Sequence, residues 1–211
     1  MKIGVDEAGR GSVIGPLVVC SFASVSQTDL IELGVKDSKD LSKKKREELY
    51  YILVKMPHNI IICNPERIDN SQNLNQLEVE LFAESLSVMP EGEIMLDACD
   101  VDATRFARNV SNLSKRDCNA EHKADENYPE VSAASIIAKV TRDNCVKQLS
   151  QDLDMDLGSG YPSDPKTKAA VKILSMGNYP HDCLRWSWKT VSDVRGSPSP
   201  PRPGGPQQTL F

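Results

Sequence analysis

Short apolar runs rich in β-branched residues alternate along the chain with segments in which apolar residues recur at helical spacing. The runs typical of strands lie at residues 2–5, 13–25, 59–63 and 93–97. The segments with helical spacing lie at residues 43–56, 74–82, 131–149 and 165–176. Ser42 is a candidate cap for the first of these helices, and Asp164 followed by Pro165 opens the last. This order predicts an α/β fold: a mixed sheet flanked by helices, with a helical C-terminal extension.

The end of the chain has a different composition. The last 16 residues, from Gly196, contain five prolines and three glycines. Such a segment cannot bury enough apolar surface to offset the entropy lost on ordering. We therefore predict one domain over 1–195, including the C-terminal helices, and a disordered tail over 196–211.

Charge and cysteine spacing narrow the functional classes. The net charge is −5, so a protein that holds nucleic acid by a broad basic field is excluded. Binding of nucleic acid would have to be local, or bridged by metal ions on carboxylates. No apolar stretch approaches the roughly 18 residues of a membrane span, which predicts a cytoplasmic protein that does not contact membranes. The six cysteines are scattered without a Cys-x-x-Cys pair, which favours free, mostly buried thiols over zinc ligands or disulfides.

Acidic residues follow the apolar runs of two predicted strands. Asp6 and Glu7 come directly after Ile3-Gly4-Val5, and Asp97 comes directly after Ile94-Met95-Leu96. Neighbouring strands lie only about 5 Å apart, so acids on two of them can reach one metal ion. Oxygen ligands favour Mg²⁺ or Mn²⁺, and a pair of such ions is suited to cleaving phosphodiesters. Composition alone leaves the other interpretation open, in which these acids are solvated turn residues.

A glycine-containing turn follows the first two acids. In Gly9-Arg10-Gly11, the glycines allow a ligand to approach the backbone, and successive N–H groups can bind a phosphate or a sugar hydroxyl. An ordinary turn is the alternative. A dinucleotide-binding loop would need its third glycine at Ile14, so a nucleotide-binding domain is disfavoured.

Six blocks in order make the chain similar to a known family. They are Asp6-Glu7-Ala8-Gly9-Arg10-Gly11; Lys36-Asp37-Ser38-Lys39; Leu96-Asp97-Ala98; Lys123-Ala124-Asp125; the run from Ser132 to Asp143; and Gly158-Ser159-Gly160-Tyr161-Pro162-Ser163-Asp164. Together they resemble type 2 ribonuclease H (ribonuclease HII), most of all its archaeal form, over roughly residues 2 to 190. The resemblance implies the ribonuclease H fold, with a five-stranded mixed sheet.

The resemblance also implies an activity and a metal site. The expected reaction is hydrolysis of the RNA strand of RNA/DNA hybrids, and incision 5′ to single ribonucleotides in duplex DNA. Two Mg²⁺ or Mn²⁺ ions would serve it, leaving 5′-phosphate and 3′-hydroxyl ends. The family's catalytic, metal-binding acids fall on Asp6, Glu7, Asp97 and Asp125. Asp100 and Asp102 lie near Asp97, but the family pattern selects the acid that closes the strand.

Substrate contacts are implied by the same resemblance. Gly9, Arg10 and Gly11 fall at the ribose 2′-hydroxyl and the neighbouring phosphate. Tyr161 falls where the family stacks an aromatic ring on the deoxyribose 3′ of the ribonucleotide. Further phosphate contacts fall on Lys39, Ser135, Lys139 and Arg142. The family often has a second lysine after Asp-Ser-Lys, where this chain has Asp40.

The final residues suggest a protein partner. Gln207, Leu210 and Phe211 resemble the start of a sliding-clamp (PCNA) interaction box, and a polar terminus without function is the alternative. For the whole chain, the alternative from another class is an adaptor that keeps the fold and binds the clamp or nucleic acid without cutting.

Overall fold

The computed structural model describes residues 1–36, 38 and 40–203. The strands are β1 (Lys2–Ala8), β2 (Leu17–Ser24), β3 (His58–Cys63), β4 (Glu93–Asp97) and β5 (Cys118–Glu121). The helices are α1 (Gln27–Glu32), α2 (Lys43–Leu53), α3 (Pro65–Asp69), α4 (Leu74–Ser85), α5 (Ala103–Ser114), α6 (Ala124–Asn127), α7 (Pro129–Asp152), α8 (Pro165–Leu174) and α9 (Lys189–Arg195). The predicted α/β class and the helical C-terminal region are confirmed.

The strands form one five-stranded mixed sheet in the order β3-β2-β1-β4-β5. β1 and β2 are antiparallel. β1 and β4 are parallel, with Val5 opposite Leu96, and β4 and β5 are also parallel. The carboxyl ends of β1, β4 and β5 therefore meet at the same edge of the sheet, and both Asp6 and Asp97 follow the paired residues there.

The chain, predicted as one catalytic domain over 1–195, divides into two compact units. The first comprises 1–8, 18–62 and 73–141, and carries most of the sheet. Its core includes Phe22 and the first half of α7. The small side chains of Ala133, Ala134 and Ala138 allow this helix to pack closely in the core. Gly4 is required by this packing, because a Cβ there would lie 2.3 Å from the backbone of Glu130.

The second unit comprises 9–17, 63–72 and 142–211. Its core is formed by residues from distant parts of the sequence: Val13, Ile14, Val146, Leu157, Ala170, Val171, Leu184, Trp186 and Val191. The predicted second strand began at Val13, but β2 begins at Leu17. The difference arises because Gly15 adopts φ +86° and Val13 and Ile14 enter the core of the second unit.

Arg202, in the tail predicted to be disordered, has several contacts in the structure. Its exposed fraction is 9%, and its guanidinium forms an ion pair with Asp69 at 2.8 Å. It also donates to the carbonyl oxygen of Leu184 at 2.6 Å and lies over the Trp186 ring at 4.4 Å. These contacts hold one arginine of a segment whose composition alone indicates disorder. Residues 204–211 lie outside the described residues.

The six cysteines are free, and Cys20, Cys63, Cys118 and Cys183 are buried, as predicted from their spacing. Burial raises the pKa of the Cys183 thiol to about 12, so it stays protonated at neutral pH. Over the described ranges, no helix is long and apolar enough to cross a membrane. The cytoplasmic location stays a prediction.

Candidate active site

Three aspartates from distant parts of the sequence meet in the first unit. Asp6 lies in β1, Asp97 is the last residue of β4, and Asp125 lies in α6. One carboxylate oxygen from each lies within 4.8 Å of the others. Asp6 and Asp125 are almost fully buried, at 4% and 1% exposure, and Asp97 is half-buried. Three carboxylates this close suit a hard divalent cation, which prefers oxygen ligands.

The backbone around α6 brings the third aspartate to the sheet. Lys123 adopts a left-handed conformation with φ 59°, which turns the chain sharply after β5. The N–H of Ala124 then donates to the Asp97 carboxylate at 3.0 Å, fixing the start of α6 against the end of β4. The Ser132 hydroxyl donates to the carbonyl of Asp125 and attaches α6 to α7.

Burial and the mutual repulsion of the carboxylates both disfavour charge in this cluster. Burial raises the pKa of the Asp6 carboxyl well above its ordinary value, and the charges of Asp97 and Glu7 raise it further. The Lys139 ammonium and a hydrogen bond from Ser135 act in the opposite direction. Without a cation, the site therefore disfavours the charged form of Asp6. A divalent ion between the carboxylates would remove this repulsion.

Ser135 and Lys139, both expected to contact phosphate, lie beside Asp6. Ser135 is fully buried and hydrogen-bonds Asp6, while Lys139 Nζ donates to Ser135 Oγ at 2.9 Å. Lys139 also donates to the hydroxyl of Ser38, which lies 3.2 Å from that of Ser135. The structure thus places these side chains in a network that orients Asp6 and brings a positive charge next to it.

Glu7 lies in a different group from the three aspartates. Its carboxylate is grouped with those of Glu78, on α4, and with the thiol of Cys99, with ligand atoms within 4.8 Å of one another. Successive side chains of a strand point to opposite faces, so Asp6 and Glu7 diverge within β1. Burial, then the charges of Glu78 and Glu7, raise the pKa of the Cys99 thiol well above its ordinary value.

The sequence interpretation missed Glu78, although a signal was present. Glu78 interrupts the apolar face of α4, four residues after Leu74 and directly beside Leu77. The side chain is fully buried in the structure. Burying an acid at a core position of an amphipathic helix costs free energy unless the acid interacts with other polar groups. Such an acid in the sequence therefore indicates a buried polar site.

The other acids near Asp97 have structural partners. Asp100 accepts a two-pronged contact from Arg105, at 3.1 Å and 2.5 Å. This contact lowers the pKa of Asp100. Asp102 caps α5 by accepting from the N–H of Arg105 at 2.9 Å. Of these three acids, Asp97 is the one that closes β4.

The expected substrate-binding residues Gly9, Arg10, Gly11, Arg142 and Tyr161 belong to the second unit. Arg142 is only 2% exposed: its guanidinium donates to Ser12 Oγ at 2.9 Å and lies 4.5 Å from the centre of the Tyr161 ring. The structure therefore places Arg142 behind Tyr161 and the glycine turn, instead of at the surface where a phosphate would meet it. Lys39, Gln207, Leu210 and Phe211 lie outside the described residues.

Comparisons with known proteins identify the family. The family model described as Ribonuclease HII matches residues 3–191. This chain belongs to the ribonuclease HII family. A ribonuclease HII from Methanocella arvoryzae is 46% identical over 204 residues, covering 91% of this chain and 90% of the relative. The family consists of endonucleases that hydrolyse phosphodiesters and depend on metal ions, and the acidic cluster of this ribonuclease HII fits that chemistry.

Solved structures agree with the fold of this ribonuclease HII. A chain of the PCNA:RNase HII complex from Archaeoglobus fulgidus is 41% identical, with a TM-score of 0.85, and the match covers 92% of this chain and 97% of that one. The ribonuclease H2 from Pyrococcus horikoshii is 38% identical, with a TM-score of 0.83 and the same two coverages.

Proposed function

We propose that this ribonuclease HII hydrolyses the RNA strand of RNA/DNA hybrids and incises 5′ to single ribonucleotides embedded in duplex DNA. The observation that carries the proposal is the convergence of Asp6, Asp97 and Asp125 within 4.8 Å at one edge of the sheet. A cluster of buried acids that repel one another costs stability, so its presence in a family of metal-dependent endonucleases favours a catalytic role over a structural one.

Asp6, Asp97 and Asp125 would hold Mg²⁺ or Mn²⁺. Glu7, whose carboxylate lies beside Glu78 and Cys99, is proposed as the fourth carboxylate from the sequence pattern alone. Bound in pairs, such ions would supply activation of an attacking water and neutralisation of charge on the leaving 3′ oxygen, consistent with 5′-phosphate and 3′-hydroxyl ends. Ser135 fixes the rotamer of Asp6 through its hydrogen bond. Lys139 holds Ser135 and adds positive charge, which favours a nearby phosphate.

Recognition of the substrate would come from the second unit. The backbone of Gly9, Arg10 and Gly11 binds the ribose 2′-hydroxyl, the group that separates RNA from DNA. Tyr161 stacks on the deoxyribose that follows, and Arg142 supports the ring from behind. Lys39 is proposed as a further phosphate contact from the sequence alone.

The test is an incision assay on a duplex that carries one ribonucleotide. We expect cleavage on the 5′ side of that ribonucleotide with Mg²⁺ or Mn²⁺, none with a chelator, and none on an all-DNA duplex of the same sequence. A long RNA/DNA hybrid provides the second substrate. Binding of the ribonucleotide-containing duplex without any cleavage would instead support the non-catalytic adaptor.

We also propose that residues Gln207, Leu210 and Phe211 bind a sliding clamp. The support is their match to the start of a clamp-interaction box, together with the Archaeoglobus fulgidus relative, which was solved as a complex with PCNA. Binding through the tail would hold the nuclease on replicated DNA, where embedded ribonucleotides arise.

A substitution in the tail should separate clamp binding from catalysis. Leu210→Ala is expected to weaken the affinity of the full chain for the clamp by roughly tenfold or more, because an apolar anchor is lost. Gln208→Ala, at a position that the motif leaves open, is the matched control and should bind normally. Titration of labelled clamp measures both affinities. Equal affinity of Leu210→Ala and the unchanged chain would contradict the clamp proposal.

A further inference from the structure

A buried arginine lies behind the glycine turn in the second unit. Arg185 has no exposed surface, and its guanidinium donates to the carbonyl oxygens of Gly9 at 2.6 Å, Arg10 at 2.7 Å and Gly15 at 3.3 Å. The guanidinium also lies 4.9 Å from the centre of the Trp188 ring. Arg185 therefore joins both ends of the loop 9–15 to one rigid planar group.

Removing the guanidinium charge of Arg185 from water costs free energy, so its contacts have to compensate for that cost. A guanidinium carries five N–H donors in a fixed planar fork, so it can bind three carbonyls at once. The sequence gives few hints, because Arg185 is more than 160 positions from the loop that it binds. Since the loop contains glycines, whose backbone is otherwise permissive, this contact limits the conformations that the loop can adopt.

The carbonyl contacts also decide where the neighbouring N–H groups point. Within a trans peptide, the C=O and the N–H of the next residue point in opposite directions. The carbonyls of Gly9 and Arg10 face the guanidinium, so the N–H groups of Arg10 and Gly11 face away from it. Arg185 therefore presents two successive N–H donors on the outer side of the turn.

The two glycines of the turn serve different purposes. Gly9 has φ +94°, and a Cβ there would lie 2.7 Å from the carbonyl oxygen of Pro16, so the backbone itself requires glycine. Gly11 is exposed and has no positive φ, and a Cβ added to it would meet no atom within 4 Å. No contact among the described residues requires glycine at position 11. Open space beside an outward N–H is what a close-approaching ligand needs.

We propose that Arg185 is a positioning residue for ribose recognition. It acts through the turn, by holding the N–H groups of Arg10 and Gly11 toward the 2′-hydroxyl oxygen and the adjoining phosphate. This inference rests on the proposed function, because it requires that the turn binds a ribonucleotide. On this proposal, the glycine turn is selective for ribose because the buried guanidinium of Arg185, far away in the sequence, holds its backbone in place.

Arg185→Lys tests the proposal, because lysine keeps the charge and loses the planar fork. KM and kcat are measured on the duplex with one ribonucleotide, and the all-DNA duplex is used as a competitive inhibitor to obtain Ki. We expect the ratio of Ki to KM to fall by roughly ten- to hundredfold, since small misplacements of positioning groups have effects of this size. The Ki for all-DNA duplex should stay within about twofold, because phosphate contacts dominate it.

Arg195→Lys is the matched control. Arg195 also donates to main-chain carbonyls in the second unit, those of Ser175 and Gly177, but it does not contact the turn. A folded Arg185→Lys protein with an unchanged ratio, or an equal fall in Arg195→Lys, would overturn the proposal. If Arg185→Lys melts below the assay temperature, Gly11→Ala takes its place. The open space around Gly11 keeps that variant folded, and full discrimination by it would overturn the proposed N–H orientation.

The unchanged chain separates this inference from the proposed function. If it cuts neither ribonucleotide-containing duplex nor hybrid, the proposed function fails. If it cuts both and only the Arg185→Lys ratio stays unchanged, the function stands and the role of Arg185 fails.

Discussion

Asp6→Asn is expected to abolish incision at a single embedded ribonucleotide and to stabilise the metal-free protein. The amide keeps the shape of the side chain but removes a charge that burial and the neighbouring Asp97 and Glu7 disfavour. We expect the incision rate to fall on the order of a thousandfold or more, since a metal ligand is lost. The free energy of unfolding should rise by roughly 0.5–2 kcal/mol, as is common when a strained functional group is neutralised. Initial rates with Mn²⁺ and thermal melts in chelator measure the two effects.

Asp102→Asn provides the control for this prediction. Asp102 is exposed and caps α5, and asparagine is an equally good cap, so both rate and stability should be unchanged. Full activity of Asp6→Asn would exclude Asp6 from the active site. A lower melting temperature of metal-free Asp6→Asn would contradict this prediction. It would show that the favourable contacts of the Asp6 carboxylate stabilise the protein by more than repulsion from the neighbouring acids destabilises it.

Part of the aspartate cluster could be predicted from the sequence, because strand pairing brings residues that are distant in the chain close together in space. Asp6 and Asp97 each follow an apolar run, and the parallel pairing of β1 with β4 brings them to the same level. Asp125 could not be located in this way. It lies in a four-residue helix that is set by a left-handed Lys123 and by a hydrogen bond to Asp97, and neither leaves a periodic pattern in the sequence.

The separation of Glu7 from the aspartates also has a local cause. The predicted first strand ends at Val5, directly before the two acids. The strand instead continues to Ala8, paired with β2 along its whole length. Alternation then directs Glu7 toward Glu78 and Cys99.

The buried arginines were beyond reach of the sequence interpretation. Arg142, Arg185 and Arg202 all carry charges that composition assigns to the surface, yet all three are nearly or fully buried. Each is held by groups far away in the chain: Ser12, the carbonyls of the glycine turn, and Asp69, respectively. Such contacts follow from tertiary packing, which local spacing does not encode.

Proton release should accompany metal binding, which makes the stabilisation by metal depend on pH. The pKa of Asp6 in the folded, metal-free protein is raised above its ordinary value. Between those two values the folded state holds a proton that the unfolded state has lost, so the stability of the metal-free protein falls as pH rises through this window. A cation requires the deprotonated carboxylate, so its affinity rises as pH rises through the same window.

We therefore expect Mn²⁺ to raise the melting temperature more at the higher of two pH values that both lie between the ordinary pKa of a carboxyl and the raised pKa of Asp6. At a free ion concentration of about a hundred times Kd, the gain in unfolding free energy is about 2.7 kcal/mol. Thermal melts with chelator and with Mn²⁺ at both pH values measure it.

In Asp6→Asn the gain should shrink and lose its pH dependence, because the titrating ligand is gone. If the metal-induced gain is the same at both pH values in the unchanged chain, Asp6 is already deprotonated before the ion binds. If it is the same in the variant and in the unchanged chain, the ion binds elsewhere.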